Sequence, residues 1–121
     1  MKILIVEDDI SIHTIMVTRL NLMKNVEIFS AFDGIEAWEK VEEHNPDLIL
    51  LDIVMPRQNG LDFLKKLRKS KKFKGTDVFV LTNLSGIENR IKAKKLGIKK
   101  YFEKADTEIK TLISSIEELY A

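Results

Sequence analysis

Cysteine is absent from the 121 residues, which excludes disulfides, thiolate catalysis and cysteine-ligated zinc. No stretch approaches the roughly 20 consecutive apolar residues of a membrane-spanning helix, so no membrane insertion is expected. The amino terminus, MKILIVEDD, turns acidic at Glu7 and has no small-residue cleavage site, so it does not read as a signal peptide. Low-complexity tracts are missing as well. Proline and glycine are scarce, two and five residues, and they mark element ends: Gly34 in a turn, Pro46 after a helix, Gly97 at a helix cap. Neither sign of charge dominates, with a formal net charge of +1. That near-balance hides an asymmetry. Residues 1–60 carry 5 basic and 11 acidic side chains, whereas residues 61–121 carry 15 basic and 8 acidic. The densest basic run, KKLRKSKKFK at 65–74, reads as a solvated helix end and loop rather than a nucleic-acid site. A single soluble, cytoplasmic domain spanning 1–121 is expected, with 45% hydrophobic residues to build its core.

Two periodicities alternate along the chain. KILIV (2–6), LILL (48–51) and VFVL (78–81) are short apolar runs suited to strands covered on both faces. VEIFSA (26–31) alternates more weakly, as an edge strand does, and a further short strand is expected near 99–103. Between the strands lie helical patterns. Residues 11–23 place Ile12, Ile15, Met16, Leu20 and Met23 on one stripe, and the next helix presents Ala37, Trp38 and Val41. Residues 61–70 turn Leu61, Leu64 and Leu67 inward, and 85–96 form a fourth helix. The last helix, 108–120, aligns Ile109, Leu112, Ile113, Ile116 and Leu119 behind a Thr107 N-cap. Five βα units imply an α/β fold: a five-stranded parallel sheet, order 2-1-3-4-5, doubly wound with helices on both faces in the flavodoxin-like manner. The winding reverses between strands 1 and 3, and ligands of such folds bind beyond the carboxyl ends of the strands at that point.

Strand 1 ends in Glu7-Asp8-Asp9, strand 3 in Asp52, strand 4 in Thr82-Asn83 and strand 5 in Lys104. Asp8 or Asp9 alone reads equally well as a helix cap, and Asp52 alone as a turn residue. Together they form one set at one end of the sheet. Carboxylates held close repel unless a cation or proton intervenes. Oxygen ligands without histidine or cysteine suit Mg²⁺, with Mn²⁺ or Ca²⁺ able to substitute. A hydroxyl and an ammonium beside them suit a phosphoryl group, which a carboxylate nucleophile can accept.

The motifs ILIVEDD, AFDGIEA (31–37), PDLILLDIVMPRQNG (46–60), VLTN (80–83) and AKKLGIKKYFEK (93–104), in this order and spacing, resemble the receiver domain of two-component response regulators across the whole chain. The resemblance implies a phosphorylation-activated switch rather than a turnover enzyme. It assigns the phosphoacceptor to Asp52, and the metal site to Glu7, Asp8, Asp52 and the backbone carbonyl of Val54, with Asp8 the direct acidic ligand and Asp9 outside the pair. It assigns phosphate binding to Thr82 and Lys104, and the switch to Thr82 and Tyr101. Val54, Asn83 and Leu84 would line the path of hydrolytic water and set the lifetime of the phosphorylated state. The implied partners are a sensor histidine kinase or phosphotransfer protein upstream, and an effector domain or target protein downstream. The implied surface of change is helix 4, strand 5 and helix 5. Direct nucleic-acid binding by this domain is not implied, and the oligomeric expectation is a monomer or weak phosphorylation-dependent dimer.

Three positions depart from the family pattern. Ala105 replaces the usual proline after the lysine, where a cis bond costs about 3 kcal/mol. Asn83 replaces a small residue, and Glu103 stands where an apolar one is common. A flavodoxin-like electron carrier would need a phosphate loop where VEDDIS offers acids, and an aspartate phosphohydrolase would commonly carry a second acid at Val54. A receiver-fold interaction module that works without phosphorylation is the alternative on the same architecture. With no linker after the last helix, either a stand-alone receiver or one separated from its effector domain is expected.

Overall fold

In this computed structural model residues 1–55, 59–83 and 87–120 are described, apart from the Asp106 side chain. Five strands, β1 (Lys2–Val6), β2 (Glu27–Ala31), β3 (Leu48–Leu51), β4 (Asp77–Thr82) and β5 (Lys100–Glu103), pair in parallel in the order β2-β1-β3-β4-β5. The helices are α1 (Ile10–Leu20), α2 (Gly34–His44), α3 (Gly60–Lys69), α4 (Ile87–Lys95) and α5 (Ile109–Leu119), with a 3₁₀ turn at Lys104–Asp106 between β5 and α5. Among the described residues no helix is long and apolar enough to cross a membrane.

The pleat sorts each strand's side chains between two cores. Ile3, Ile5, Leu48, Leu50, Phe79 and Leu81 pack with Met16, Leu20, Leu112 and Ile116 of α1 and α5. Leu4, Val6, Ile49, Leu51, Val78 and Val80 face the other way, onto Ala37, Val41, Phe63, Leu64, Leu67 and Ala93 of α2, α3 and α4. Strands β1, β3 and β4 are therefore apolar at consecutive positions because both of their faces are covered. Full burial of one such Leu or Ile contributes about 1.5–3 kcal/mol relative to exposure.

Several boundaries and faces differ from the sequence expectations, each for a local reason. The buried face of α1 is His13, Met16 and Leu20; Ile15 is 55% exposed, and Met23 lies beyond the helix end, packed against the same core. His13 takes the inward position because its polar ring atoms find partners there. Asp33 and Gly34 begin α2 rather than forming a separate turn: the Asp33 carboxylate accepts from Glu36 N at 2.8 Å. In α3 the sequence pattern passed over Phe63, which is fully buried, while Leu61 is half-buried. Thr107 does not cap α5. Its hydroxyl donates to Glu103 O at 2.8 Å, across the 3₁₀ turn, and the cap position falls to Glu108, which makes no side-chain cap bond.

The basic run 65–74 is solvated only in part. Phe73 is buried, and Arg68 turns back into the fold. Its Nε donates to Leu96 O at 2.5 Å, and its terminal nitrogens donate to Lys74 O (3.0 Å), Thr76 O (2.7 Å) and Gly97 O (3.2 Å). One guanidinium thus satisfies carbonyls at the carboxyl end of α4 and in the turn leading to β4, where helix and loop ends leave acceptors without backbone donors. Gly97 there has φ +74°, the left-handed conformation that ends a helix at little cost for glycine. Arg68→Ala should destabilise the fold by about 1–3 kcal/mol, and Arg68→Lys should recover only part of this because a point ammonium cannot span four carbonyls. Urea midpoints of the three proteins check it; an unchanged midpoint for Arg68→Ala would mean the carbonyls are equally well served by water.

Candidate functional site

The carboxyl ends of β1, β3 and β5 deliver the site. The ladder continues past the strands: Glu7 N donates to Ala31 O at 3.1 Å and Asp52 N to Val6 O at 3.0 Å, so both acids keep sheet geometry as they leave it. Asp9 then caps α1, accepting from Ile12 N at 3.1 Å, while its own N–H donates to Glu7 Oε2 at 3.1 Å. Asp52 is held from below by α3. Asn59 caps that helix by accepting from Asp62 N at 2.9 Å, and Gly60 N donates to Ile53 O at 2.7 Å. A Cβ on Gly60 would lie 2.4 Å from Asp52 O and 2.6 Å from Ile53 Cα, so only glycine permits this approach.

Glu7 and Asp52 are buried, 2% and 5% exposed, whereas Asp8 is exposed. Lys104 reaches them from the start of the 3₁₀ turn. Its Nζ donates to Asp52 Oδ2 at 2.8 Å and pairs with Glu7 Oε1. The other Asp52 oxygen accepts from Val54 N at 3.1 Å. The Lys104–Ala105 peptide is trans, and the lysine spans both carboxylates in that form. Glu7, Asp8, Asp9, Ile12, Asp52, Val54, Asn83 and Lys104 line one crevice of about 330 Å³. A larger groove of about 860 Å³ lies elsewhere, among Arg19, Met23, Ile113 and Tyr120. The acidic cluster found among the described residues is in the smaller crevice, which is therefore the candidate site.

Thr82 is fully buried at the end of β4, one residue before the crevice-lining Asn83. Tyr101 is half-buried on β5, packed against the α2–α4 core, with the Arg90 guanidinium 5.0 Å from its ring centroid. Arg90 also lies 3.8 Å from Glu103, which gives that unusual acid a partner. Leu84 lies outside the described residues. His13, Asn59 and Gly60 were not singled out from the sequence. The NG pair immediately before an amphipathic helix was the available signal for the last two; His13 gave none, being one polar residue within a helical stripe.

Glu7, Asp8 and Asp52 each offer an oxygen within 4.8 Å of the others'. Three carboxylates against one ammonium leave an uncompensated negative charge, and the donors are all hard oxygens. The residues fit a divalent cation of the Mg²⁺, Mn²⁺ or Ca²⁺ class. The electrostatics agree. Burial pushes the Glu7 carboxyl above its ordinary value, with the Asp52 charge adding to the rise and the Lys104 contact opposing it. Burial pushes Lys104 down, but its hydrogen bonds to Asp52 and Glu7 outweigh this and hold it above its ordinary value.

These shifts fix a pH dependence for a Lys104→Met variant. A carboxyl whose folded pKa exceeds its unfolded value favours the fold below the unfolded value, 4.5 for Glu7, and loses that contribution as pH rises through the folded pKa. Removing Lys104 raises the Glu7 value further. The metal-free variant should trail wild type by less below 4.5, where Glu7 is protonated and only the contact with Asp52 is lost, than at neutral pH, where the gap should reach about 1–3 kcal/mol, less than for a fully enclosed pair because the crevice admits water. Added divalent cation should narrow the gap. Urea denaturation at the two pH values measures it, and a gap independent of pH would remove the buried-carboxylate explanation.

Comparison with known proteins gives one consistent result. The sequence profile described as "Response regulator receiver domain" matches residues 3–117. Chemotaxis protein CheY1 of Helicobacter pylori is 33% identical over 108 residues, covering 88% of this chain and 87% of that protein. Among solved structures, the receiver domain of the Francisella response regulator 1452 superposes with a TM-score of 0.87 at 34% identity, covering 98% of this chain and 95% of that one. The BeF₃-activated N-terminal receiver domain of Klebsiella pneumoniae RstA has a TM-score of 0.86 at 27% identity, covering 97% and 96%. The buried acid at the end of the third strand, its acidic neighbours on the first and its lysine from the fifth thus sit in a chain that belongs to the response regulator receiver domain family.

Proposed function

We propose that this domain is a phosphorylation switch whose acceptor is Asp52. The observation that carries the reading is the placement of Asp52: buried at a strand end, one oxygen on Val54 N, the other on Lys104, with Glu7 and Asp8 alongside. The donor is a sensor histidine kinase or a phosphotransfer protein carrying a phosphorylated imidazole. An Asp52 carboxylate oxygen attacks phosphorus; the O–P bond forms as the N–P bond breaks, and the electron pair leaves with the imidazole nitrogen. Mg²⁺ held by Asp8, Asp52 and the Val54 carbonyl, with Glu7 in support, would neutralise the phosphoryl oxygens during transfer. Lys104, already beside Asp52, contacts one of those oxygens as a point charge.

The output follows from the two faces of the sheet. Thr82 continues the alternation of Val78 and Val80, whose neighbour across the ladder is Tyr101, so Thr82 and Tyr101 belong to the same side. Movement of the Thr82 hydroxyl toward the new phosphoryl group frees space in which Tyr101 turns inward. That changes the α4-β5-α5 surface for a downstream target or effector domain. The family membership and the BeF₃-activated RstA relative support this reading.

Small acyl phosphate donors with Mg²⁺ should add one phosphoryl group to the protein, labile to hydroxylamine and absent from Asp52→Asn. Asp8→Ala should remove most Mg²⁺ affinity by calorimetry, while Asp9→Ala, which deletes a helix cap worth about 1 kcal/mol, should lower stability more than affinity. Label that persists in Asp52→Asn, or that forms without divalent cation, would refute the assignment.

The lifetime of the phosphorylated state is a separate expectation. Val54, 56% exposed, and Asn83 both line the crevice. Val54 has no side-chain group with which to orient a hydrolytic water, and Leu84 lacks one too. Hydrolysis, in which water attacks phosphorus and releases inorganic phosphate with the Asp52 carboxylate, should therefore be slow. Val54→Asn and Leu84→Gln should each accelerate it, by roughly tenfold if a water becomes aligned. Phosphate release after donor removal tests this; a wild type as fast as either variant would show that Asn83 or another group already holds the water.

A further inference from the structure

His13 is a polar residue on the buried face of α1, only 4% exposed, and both of its ring nitrogens are engaged. Nδ1 lies 3.0 Å from Glu7 O and Nε2 lies 2.7 Å from Ser30 Oγ on β2. A backbone carbonyl only accepts, so Nδ1 carries the proton. Nε2, on the other side of the ring, meets the Ser30 hydroxyl. Phe32 stacks on the ring at 4.4 Å between centroids and 21° between planes, which sets its tilt.

The target of the Nδ1–H bond gives this network a function beyond packing. Glu7 O belongs to the peptide that joins Glu7 to Asp8. Holding that oxygen fixes the peptide plane, and with it the direction in which the exposed Asp8 leaves the chain. The preceding peptide is held by Glu7 N on Ala31 O, and the following turn by the Asp9 cap on Ile12 N. Asp9 N on Glu7 Oε2 holds the Asp8–Asp9 peptide, and His13 adds the constraint on the Glu7–Asp8 peptide itself. Asp8 has no comparable burial to orient it, so its approach to Asp52 depends on its backbone.

We propose that His13 is a positioning residue of the acidic turn: through Nδ1–H on Glu7 O, with Ser30 on its other nitrogen, it aims the Asp8 carboxylate at Asp52. This rests on the reading of Glu7, Asp8 and Asp52 as the divalent-cation site. Groups that support metal ligands indirectly typically change affinity by about 10–100-fold when removed.

The test uses the whole domain and Mg²⁺ as the probe, with calorimetric affinity and the urea midpoint measured on each protein. It also uses the metal-free ¹H–¹⁵N resonances of Asp8 and Asp9. His13→Phe keeps the stack on Phe32 but loses both bonds. His13→Gln reaches toward Ser30 without serving Glu7 O, whereas His13→Asn places an amide N–H near the position of Nδ1. Mg²⁺ affinity should fall about tenfold or more in His13→Phe and His13→Gln, be largely recovered in His13→Asn, and fall less in Ser30→Ala. The Asp8 amide resonance should shift in the same order. If Phe, Gln and Asn variants bind Mg²⁺ as wild type does with an unmoved Asp8 resonance, the proposal is overturned. Equal losses in Asn and Phe variants would overturn it too, by showing that packing alone matters. Asp8→Ala separates the underlying reading: if that variant retains full affinity, the cation site is wrongly assigned, and the Asp8 resonance in the metal-free proteins alone decides whether His13 positions the turn. Should the His13 variants fail to fold, Ser30→Ala on the edge strand carries the same two readouts, and unchanged values there count against the proposal.

Discussion

Lys104 donates to Asp52 and pairs with Glu7, so one ammonium separates two buried carboxylates that would otherwise repel. The rest of the site is arranged around that contact. The carboxylates stay close because each continues a strand ladder, Glu7 against Ala31 and Asp52 against Val6, and Asp52 is further fixed by the glycine that lies against its carbonyl. The lysine stays close because the turn after β5 begins at it. Charge is left over, since Asp8 is not compensated by the same ammonium, and a divalent cation is the simplest group that completes the balance.

The pleat divides the residues around the site between two sides of the sheet. Side chains of β1 and β3 alternate between the cores, and the acids follow directly on those strands with ladder geometry retained. Thr82 and Tyr101 belong with the opposite core, that of α2, α3 and α4, through the pairing of Val80 with Tyr101. Asp52 thus follows in alternation Leu48 and Leu50, which face α1 and α5, at the carboxyl end of the strand beside β4, which carries Thr82 on the other side. The Arg90 guanidinium, near both Tyr101 and Glu103, ties α4 to the same strand.

The departures from the family pattern illustrate how context absorbs a substitution. Ala105 leaves the preceding peptide trans without taking Lys104 away from its partners. Glu103, polar where an apolar side chain is common, has Arg90 within 3.8 Å. Asn83 is exposed in the crevice wall, where its amide meets solvent rather than the core.

The architecture was legible in the sequence because it depends on short-range patterns. Consecutive apolar residues at 3–6, 48–51 and 78–81 demand strands covered on both sides, and amphipathic helices between them leave a parallel sheet as the economical arrangement. Acids placed directly after the first two runs, and a lysine after the last short strand, also pointed to the candidate site, since a strand's end determines where the next residue emerges. Only the tertiary structure decided which groups touch. His13 exchanged places with Ile15 on the buried face because Glu7 O, just before the helix, and Ser30 Oγ, on a different strand, meet its ring. Arg68 left a basic run for the interior because carbonyls of two separate segments converge there. Thr107 gave its hydroxyl to Glu103 rather than to α5, and Gly60 became indispensable only when α3 was laid against Asp52. Periodicity records the faces that an element buries, but hydrogen-bond partners far apart in the chain leave no periodic trace, and they come together only when the sheet and its helices have packed.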